Sequence, residues 1–170
     1  ESAWVYGWLL TDGSIQEKTG QIAINLKRDD EDVLHKIKNV LNFTGNISYG
    51  EREDGRKSAH LRICRKGMTE DLFNLGIARK DKTFNTVLPI VPDDCFWDLI
   101  RGIFEGDGGI RHRTGNTDAL DITIAGATHK FMIDLQTALE ERGIFMRLNT
   151  REANSSSGNK REMYTLNTKS

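Results

Sequence analysis

The chain has 170 residues, 37% of them hydrophobic and 29% charged, with a net charge of -1, which suits one well-cored domain or two subdomains and excludes a disordered chain. No apolar run approaches the roughly 20 residues of a membrane helix. Cys64 and Cys95 form no CxxC, which argues against a disulfide framework or thiolate zinc site and reads as reduced, buried thiols.

The elements then follow in chain order. "WVYGWLL" (4–10) is apolar and helical in length, and it gives out at Thr11-Asp12-Gly13. "SIQEK", a turn at Thr19-Gly20, and "QIAINLK" alternate apolar and polar residues, the pattern of a hairpin with one buried face. "DDEDVLHKIKNVL" has acids in its first turn and an apolar stripe, so it predicts an amphipathic helix. "NISYGERE" and "SAHLRIC" predict a second hairpin, and residues 66–75 a third helix. "FNTVLPIVPDD" (84–94) holds both prolines and reads as a linker between repeats 1–83 and 95–170.

The second repeat restates the order. "CFWDLIRGIFEG" is a helix, "GIRHR" and "LDITIA" a hairpin, and "THKFMIDLQTALEERG" a helix with Gly143 as its C′ residue. "IFMRLNTRE" and "REMYTLNTK" form the last hairpin. A final helix, due by repetition, does not follow Ser170. The chain therefore reads as a portion of a longer one, with an exposed apolar underside expected around Ile144, Met146, Leu148 and Leu166.

Strand parity sorts the side chains by face. With Ile15, Ile22, Ile24, Leu61 and Ile63 inward, Gln16, Lys18, Gln21, Asn25, Lys27, His60 and Arg62 point outward. The second repeat puts Arg111, Arg113, Asp121, Thr123, Arg147, Asn149, Arg151, Thr165 and Asn167 outward. Eight strands with long polar side chains on one face predict a binding platform, and a near-zero net charge does not oppose this because the bases are local.

"GWLLTDGSI" (7–15) and "GIFEGDGGI" (102–110) share a pattern, each ending an apolar helix on an acid, Asp12 and Asp107, followed by glycine. A carboxylate at a helix C-terminus opposes the helix dipole, so capping does not explain it. Gly7-x-x-x-Thr11 and Gly102-x-x-x-Gly106 put small residues on one helical face and predict close packing of the two helices. Two carboxylates brought to about 4 Å repel by roughly 4 kcal/mol at an effective dielectric near 20. A proton or a divalent cation relieves this, and oxygen ligands with open positions favour Mg²⁺. Acids, metal and a basic platform together describe phosphodiester hydrolysis.

Val5 to Gly13 ("VYGWLLTDG") and Ile100 to Gly108 ("IRGIFEGDG") resemble the nine-residue signature of the LAGLIDADG homing endonucleases, and the likeness in element order covers nearly the whole chain. The resemblance implies an α+β fold, a pseudo-twofold αββαββα repeat whose antiparallel sheets form a saddle on double-stranded DNA. It implies metal binding at Asp12 and Asp107, with the carbonyls of Thr11 and Gly106 as additional ligands, and Mg²⁺ as cofactor. Mn²⁺ is a substitute, and Ca²⁺ is expected to support binding without turnover. It also implies basic residues near each metal: aligning "HLRICRKG" with "MYTLNTKS" selects Lys66 and Lys169. Lys27 stands where the family often has Gln or Lys, and its counterpart is Gly126. Arg52 and Arg161 join the outward strand residues as DNA contacts. The function implied is a monomeric, site-specific endonuclease with internal pseudo-dimer symmetry, intron- or intein-associated and intracellular (bacterial cytoplasm or organelle matrix). The alternative is a non-cleaving module of the same fold, a transcription regulator or RNA maturase.

Overall fold

A computed structural model describes residues 1–113, 119–154 and 160–168. The elements run α1 (Ser2–Thr11), β1 (Gly13–Gln16), β2 (Gln21–Lys27), α2 (Glu31–Val40), β3 (Ile47–Glu51), β4 (Lys57–Cys64), α3 (Lys66–Asn74), α4 (Lys82–Asn85), α5 (Asp93–Asp107), β5 (Gly108–Arg113), β6 (Ala119–Gly126), α6 (His129–Glu140), β7 (Met146–Asn154) and β8 (Lys160–Thr168). The fold is α+β, with two four-stranded antiparallel sheets of the same order, β1-β2-β4-β3 and β5-β6-β8-β7. Even the register repeats: Gly13 pairs with Ile24 as Gly108 does with Ile124, and Ile15 with Ile22 as Ile110 does with Ile122.

The chain forms two compact units, residues 1–79 with 90–106, and residues 80–89 with 107–170. In the first, α1 is buried from Trp4 to Leu10, as a helix apolar on every side must be. It meets α5 backbone to backbone. A Cβ on Gly7 would lie 2.6 Å from the Leu99 carbonyl oxygen, and one on Gly102 would lie 2.2 Å from that of Trp4. The small residues on the two signature helices are there to permit this approach.

α3 covers the underside of the β1–β2 hairpin. The Thr69 hydroxyl and the Arg65 amide both donate to the Gly20 carbonyl, at 3.2 and 3.1 Å. At the C-terminus of α3, Gly76 adopts φ +110 and the Ile77 amide reaches back to the Leu72 carbonyl, a closure that puts Leu72 and Ile77 into the core. Leu75 is exposed; it lies just past α3, which ends at Asn74 and not at residue 75 as the pattern predicted, and its carbonyl accepts the Tyr6 hydroxyl at 2.7 Å. Burial pushes the Tyr6 phenol well above its ordinary pKa.

In the second unit α6 packs across β7, β8 and β6 and closes as predicted, with Gly143 at φ +82 and the Ile144 amide on the Leu139 carbonyl. This corrects one expectation. Met146 and Leu166 are buried beneath α6, Leu148 is half-buried, and only Ile144 is exposed. The uncovered apolar surface lies under β5–β6, where Ile110 is 63%, Leu120 61% and Ile122 36% exposed. Among the described residues of this unit no helix takes the place that α3 takes in the first. The cysteines are a second correction: Cys64 is exposed and Cys95 half-buried, because Cys64 falls on the polar face of β4.

The equivalent isoleucines make a measurable pair. Ile22→Ala should cost about 2–5 kcal/mol, the range for a large-to-small change in a closed core. Ile122→Ala should cost less than about 1 kcal/mol, because Ile122 already meets water. Urea unfolding of both variants checks this, and equal losses would show that the undersides are alike.

Candidate nucleic-acid interface and acidic groove

Asp12 is the C-cap of α1. Its backbone amide donates to the Trp8 carbonyl at 3.0 Å, and Gly13 starts β1 immediately after it. The acid is thus held where helix becomes strand, beside the polar face of the sheet. A groove of about 540 Å³ opens there, lined by Trp8, Asp12, Asn25, Leu26, Lys27, Asp30, Val33, Lys36, Glu105 and Gly106. Gly106 makes room for the acid: a Cβ on it would lie 2.1 Å from the Thr11 hydroxyl and 2.9 Å from Asp12 Oδ2. Asp107 is the next residue and closes α5.

Glu105 also reaches this groove, and it is clamped. Trp4 Nε1 and Trp8 Nε1 donate to Glu105 Oε2 at 2.7 and 3.1 Å, and Arg101 lies 3.5 Å from Oε1. Trp4 and Trp8 are one turn apart on α1, so both indoles reach one carboxylate on α5. The pair Trp4-x-x-x-Trp8 was a readable signal, but nothing in sequence links it to Glu105. Glu105→Ala should leave two indole N–H groups unpartnered and destabilise by about 1–3 kcal/mol. Glu105→Gln keeps an acceptor and should cost less; tryptophan emission and thermal melts of the two variants check the order.

The sheet faces carry the predicted polar residues. In the first unit Gln16 pairs with Gln21, Asn25 with His60, and Lys27 with Ser58, while Arg62 lies opposite Ala23. Lys18 and Arg52 are exposed in the adjoining turns. In the second unit Arg111, Asp121, Thr123, Arg147, Asn149, Arg151, Thr165 and Asn167 line one groove of about 790 Å³. Three guanidiniums face one carboxylate there, an anion-seeking surface. Arg113 and Arg161 pair through their backbones with Ala119 and Ala153; their side chains, and Lys169 altogether, lie outside the described residues.

Lys66 is not where its predicted role needs it. It opens α3 beyond Cys64, which pairs with Gln21, whereas Asp12 lies beside the opposite, Asn25 end of β2. Four strand residues separate those positions, about 13 Å at 3.3 Å per residue. Its methylenes pack on Gly20. The lysines that share a groove with Asp12 are Lys27 and Lys36. The repeated register, Ile22 with Ile122 and Ile24 with Ile124, puts Ala127 and not the expected Gly126 in the place of Lys27; Gly126 stands where Leu26 does, on the core face, and a Cβ on it would lie 2.5 Å from Met132 Sδ of α6.

The donor set suits a hard divalent cation. Among the described residues no three His, Cys, Asp or Glu side chains are grouped to hold a metal by themselves. Mg²⁺ is commonly held by one or two carboxylates together with substrate phosphate oxygens, and Asp12, with the space left by Gly106, fits that mode.

A family model described as "LAGLIDADG-like domain" matches residues 1–74 and 98–169. A structure of mesophilic variants of the homing endonuclease I-DmoI superposes with a TM-score of 0.61 at 13% identity, over 99% of this chain and 87% of that one. The meganuclease I-SmaMI bound to uncleaveable DNA gives 0.56 at 13%, over 98% and 78%. The N-terminal LAGLIDADG domain of WhiA gives 0.58 at 13%, over 99% and 73%. In sequence the chain is 29% identical over 153 residues to the uncharacterized protein MJ1054 of Methanocaldococcus jannaschii, covering 84% of this chain and 17% of the relative. The chain thus spans about a sixth of that relative's length. Matched across both of its repeats, the chain belongs to the LAGLIDADG-like domain family.

Proposed function

We propose that this protein binds double-stranded DNA on the polar faces of its sheets and hydrolyses phosphodiester bonds with a divalent metal. The observation that carries the reading is the seat of Asp12, an acid against the dipole at a helix end, with Gly106 kept bare beside it and Lys27 in the same groove. Asp12 with the Thr11 carbonyl, and Asp107 with the Gly106 carbonyl, would hold the cations. A divalent ion bound there supplies Lewis-acid stabilisation of the phosphate and a more acidic water. Lys27 places an ammonium near the phosphate whose charge grows in the transition state. The outward arginines neutralise phosphates and present donors to base edges. Site-specific cutting, association with an intron or intein, a monomeric state and an intracellular setting belong to the same reading, supported by the homing endonucleases it resembles in fold.

A second reading, a binding module without cleavage, draws on the WhiA likeness and on the lone lysine: by register Ala127 fills the place of Lys27 in the second unit. One experiment separates them. Incubation with a randomised duplex library, with and without Mg²⁺, followed by sequencing of cut ends should give metal-dependent cuts at a defined sequence. Enrichment of bound but uncut duplexes would support the second reading.

A further inference from the structure

On the polar face of the first sheet three side chains form a chain of hydrogen bonds. Ser58 Oγ lies 2.9 Å from His60 Nε2, and His60 Nδ1 lies 2.6 Å from Asn25 Oδ1. An amide oxygen only accepts, so the bond to Asn25 puts the imidazole proton on Nδ1, and the bare Nε2 accepts from the Ser58 hydroxyl, whose other acceptor, the Gly50 carbonyl, is farther at 3.3 Å. The strand register fixes the geometry, since Asn25 and His60 are directly paired and Ser58 stands two residues before His60 on the same face. Gly50, on the neighbouring strand, keeps space for it: a Cβ there would lie 3.1 Å from both His60 Nε2 and Ser58 Oγ. The glycine inside β3 therefore has a reason, a close approach from the next strand.

The consequence falls on Asn25, which is exposed and lines the groove that holds Asp12 and Lys27. An unconstrained asparagine reads adenine through two bonds, using its oxygen on N6 and its nitrogen on N7. Here the oxygen is engaged by His60, which leaves the two amide hydrogens for a ligand. We infer that the Ser58–His60–Asn25 chain makes Asn25 a donor-only reader that rejects cytosine and loses the usual asparagine preference for adenine. Guanine N7 and O6, thymine O4 and adenine N7 all accept in the major groove, cytosine offers only its N4 donor, and adenine keeps one of its usual two bonds. This rests on the proposed DNA-binding function and names a specificity element of that same face.

Binding selection from a randomised duplex library, with Ca²⁺ in place of Mg²⁺, tests it without relying on cleavage. One position of the bound site should show cytosine depleted about five- to tenfold, with no preference for adenine. Asn25→Ala should flatten that position alone. Asn25→Asp, an acceptor only, should turn it toward cytosine or adenine, and His60→Ala should release the amide oxygen and bring in a preference for adenine. An unchanged profile in Asn25→Ala, or an adenine preference there in the unaltered protein, overturns the inference while leaving DNA binding intact. Nitrogen NMR of the unaltered protein gives an independent readout: the Nδ1-protonated tautomer of His60 is expected, and the Nε2-protonated one overturns the inference. Failure to bind any duplex overturns the DNA reading, and this inference with it.

Discussion

Asp12→Asn is expected to abolish DNA cleavage, lowering the single-turnover rate at least about a thousandfold, or ~4 kcal/mol of activation free energy. Asparagine keeps the shape but loses the charge that holds a hard cation, and with it the metal's stabilisation of the phosphate. Asp107→Asn should do the same. Neither should weaken duplex binding by more than about tenfold, because the phosphate contacts come from the sheet faces. Stability should move the other way. Asp12 caps the negative end of α1, and its groove holds two acids, Asp30 and Glu105, against two lysines, Lys27 and Lys36, so the helix dipole decides the sign and removing the charge should stabilise by about 0.3–1 kcal/mol. A residue that lowers stability while serving chemistry is the usual mark of a functional site. Full metal-dependent cleavage by Asp12→Asn would remove Asp12 from the active site; a large loss of stability would show it to be structural.

Much of this was legible because the chain states its plan twice. The hairpins, the helices and the close approach at Gly7 and Gly102 all follow from periodicity and small-residue spacing. Strand parity was enough to gather Arg111, Arg147 and Arg151 into one groove, since register converts alternation into a face. What parity does not give is position along a strand. Lys66 and Lys27 both follow the apolar alternation of a strand to its end, yet pairing puts one at the hairpin tip and the other beside Asp12.

The uncovered underside was misplaced for a related reason. Repetition predicts that one helix has no counterpart, but not which strands that helix would cover. In the first unit α3 lies on β1–β2, so the open surface of the second is at Ile110, Leu120 and Ile122 and not at Met146 and Leu166. The clamp on Glu105 and the Ser58–His60–Asn25 chain were not legible at all. Each joins residues far apart in the chain through hydrogen bonds that apolar patterning does not encode.

Duplex binding should fall on the order of 10³-fold between 50 and 200 mM salt, although the net charge of the chain is only -1. Affinity for DNA follows counterions released by local contacts, with log K falling by about 0.9 per neutralised phosphate for each tenfold rise in salt. Lys18, Lys27, Arg62, Arg111, Arg147 and Arg151 are exposed on or beside the polar faces. Six such contacts give a slope near -5, and a fourfold rise in salt then costs about three powers of ten. The acids oppose this mainly at Lys27, because Asp29, Asp30, Glu31 and Asp32 are gathered where β2 leads into α2 and Asp30 lines the Lys27 groove; a phosphate more than the Debye length of about 8–10 Å from them is largely screened. Replacing Arg147 by Ala should separate its two roles. A phosphate contact would lower the slope by about one and weaken all targets alike, whereas a base contact would relax preference at one base pair and cost about 1–3 kcal/mol of discrimination. Fluorescence anisotropy across a salt series measures the slope, and a flat response would mean that the polar faces bind something other than a polyanion.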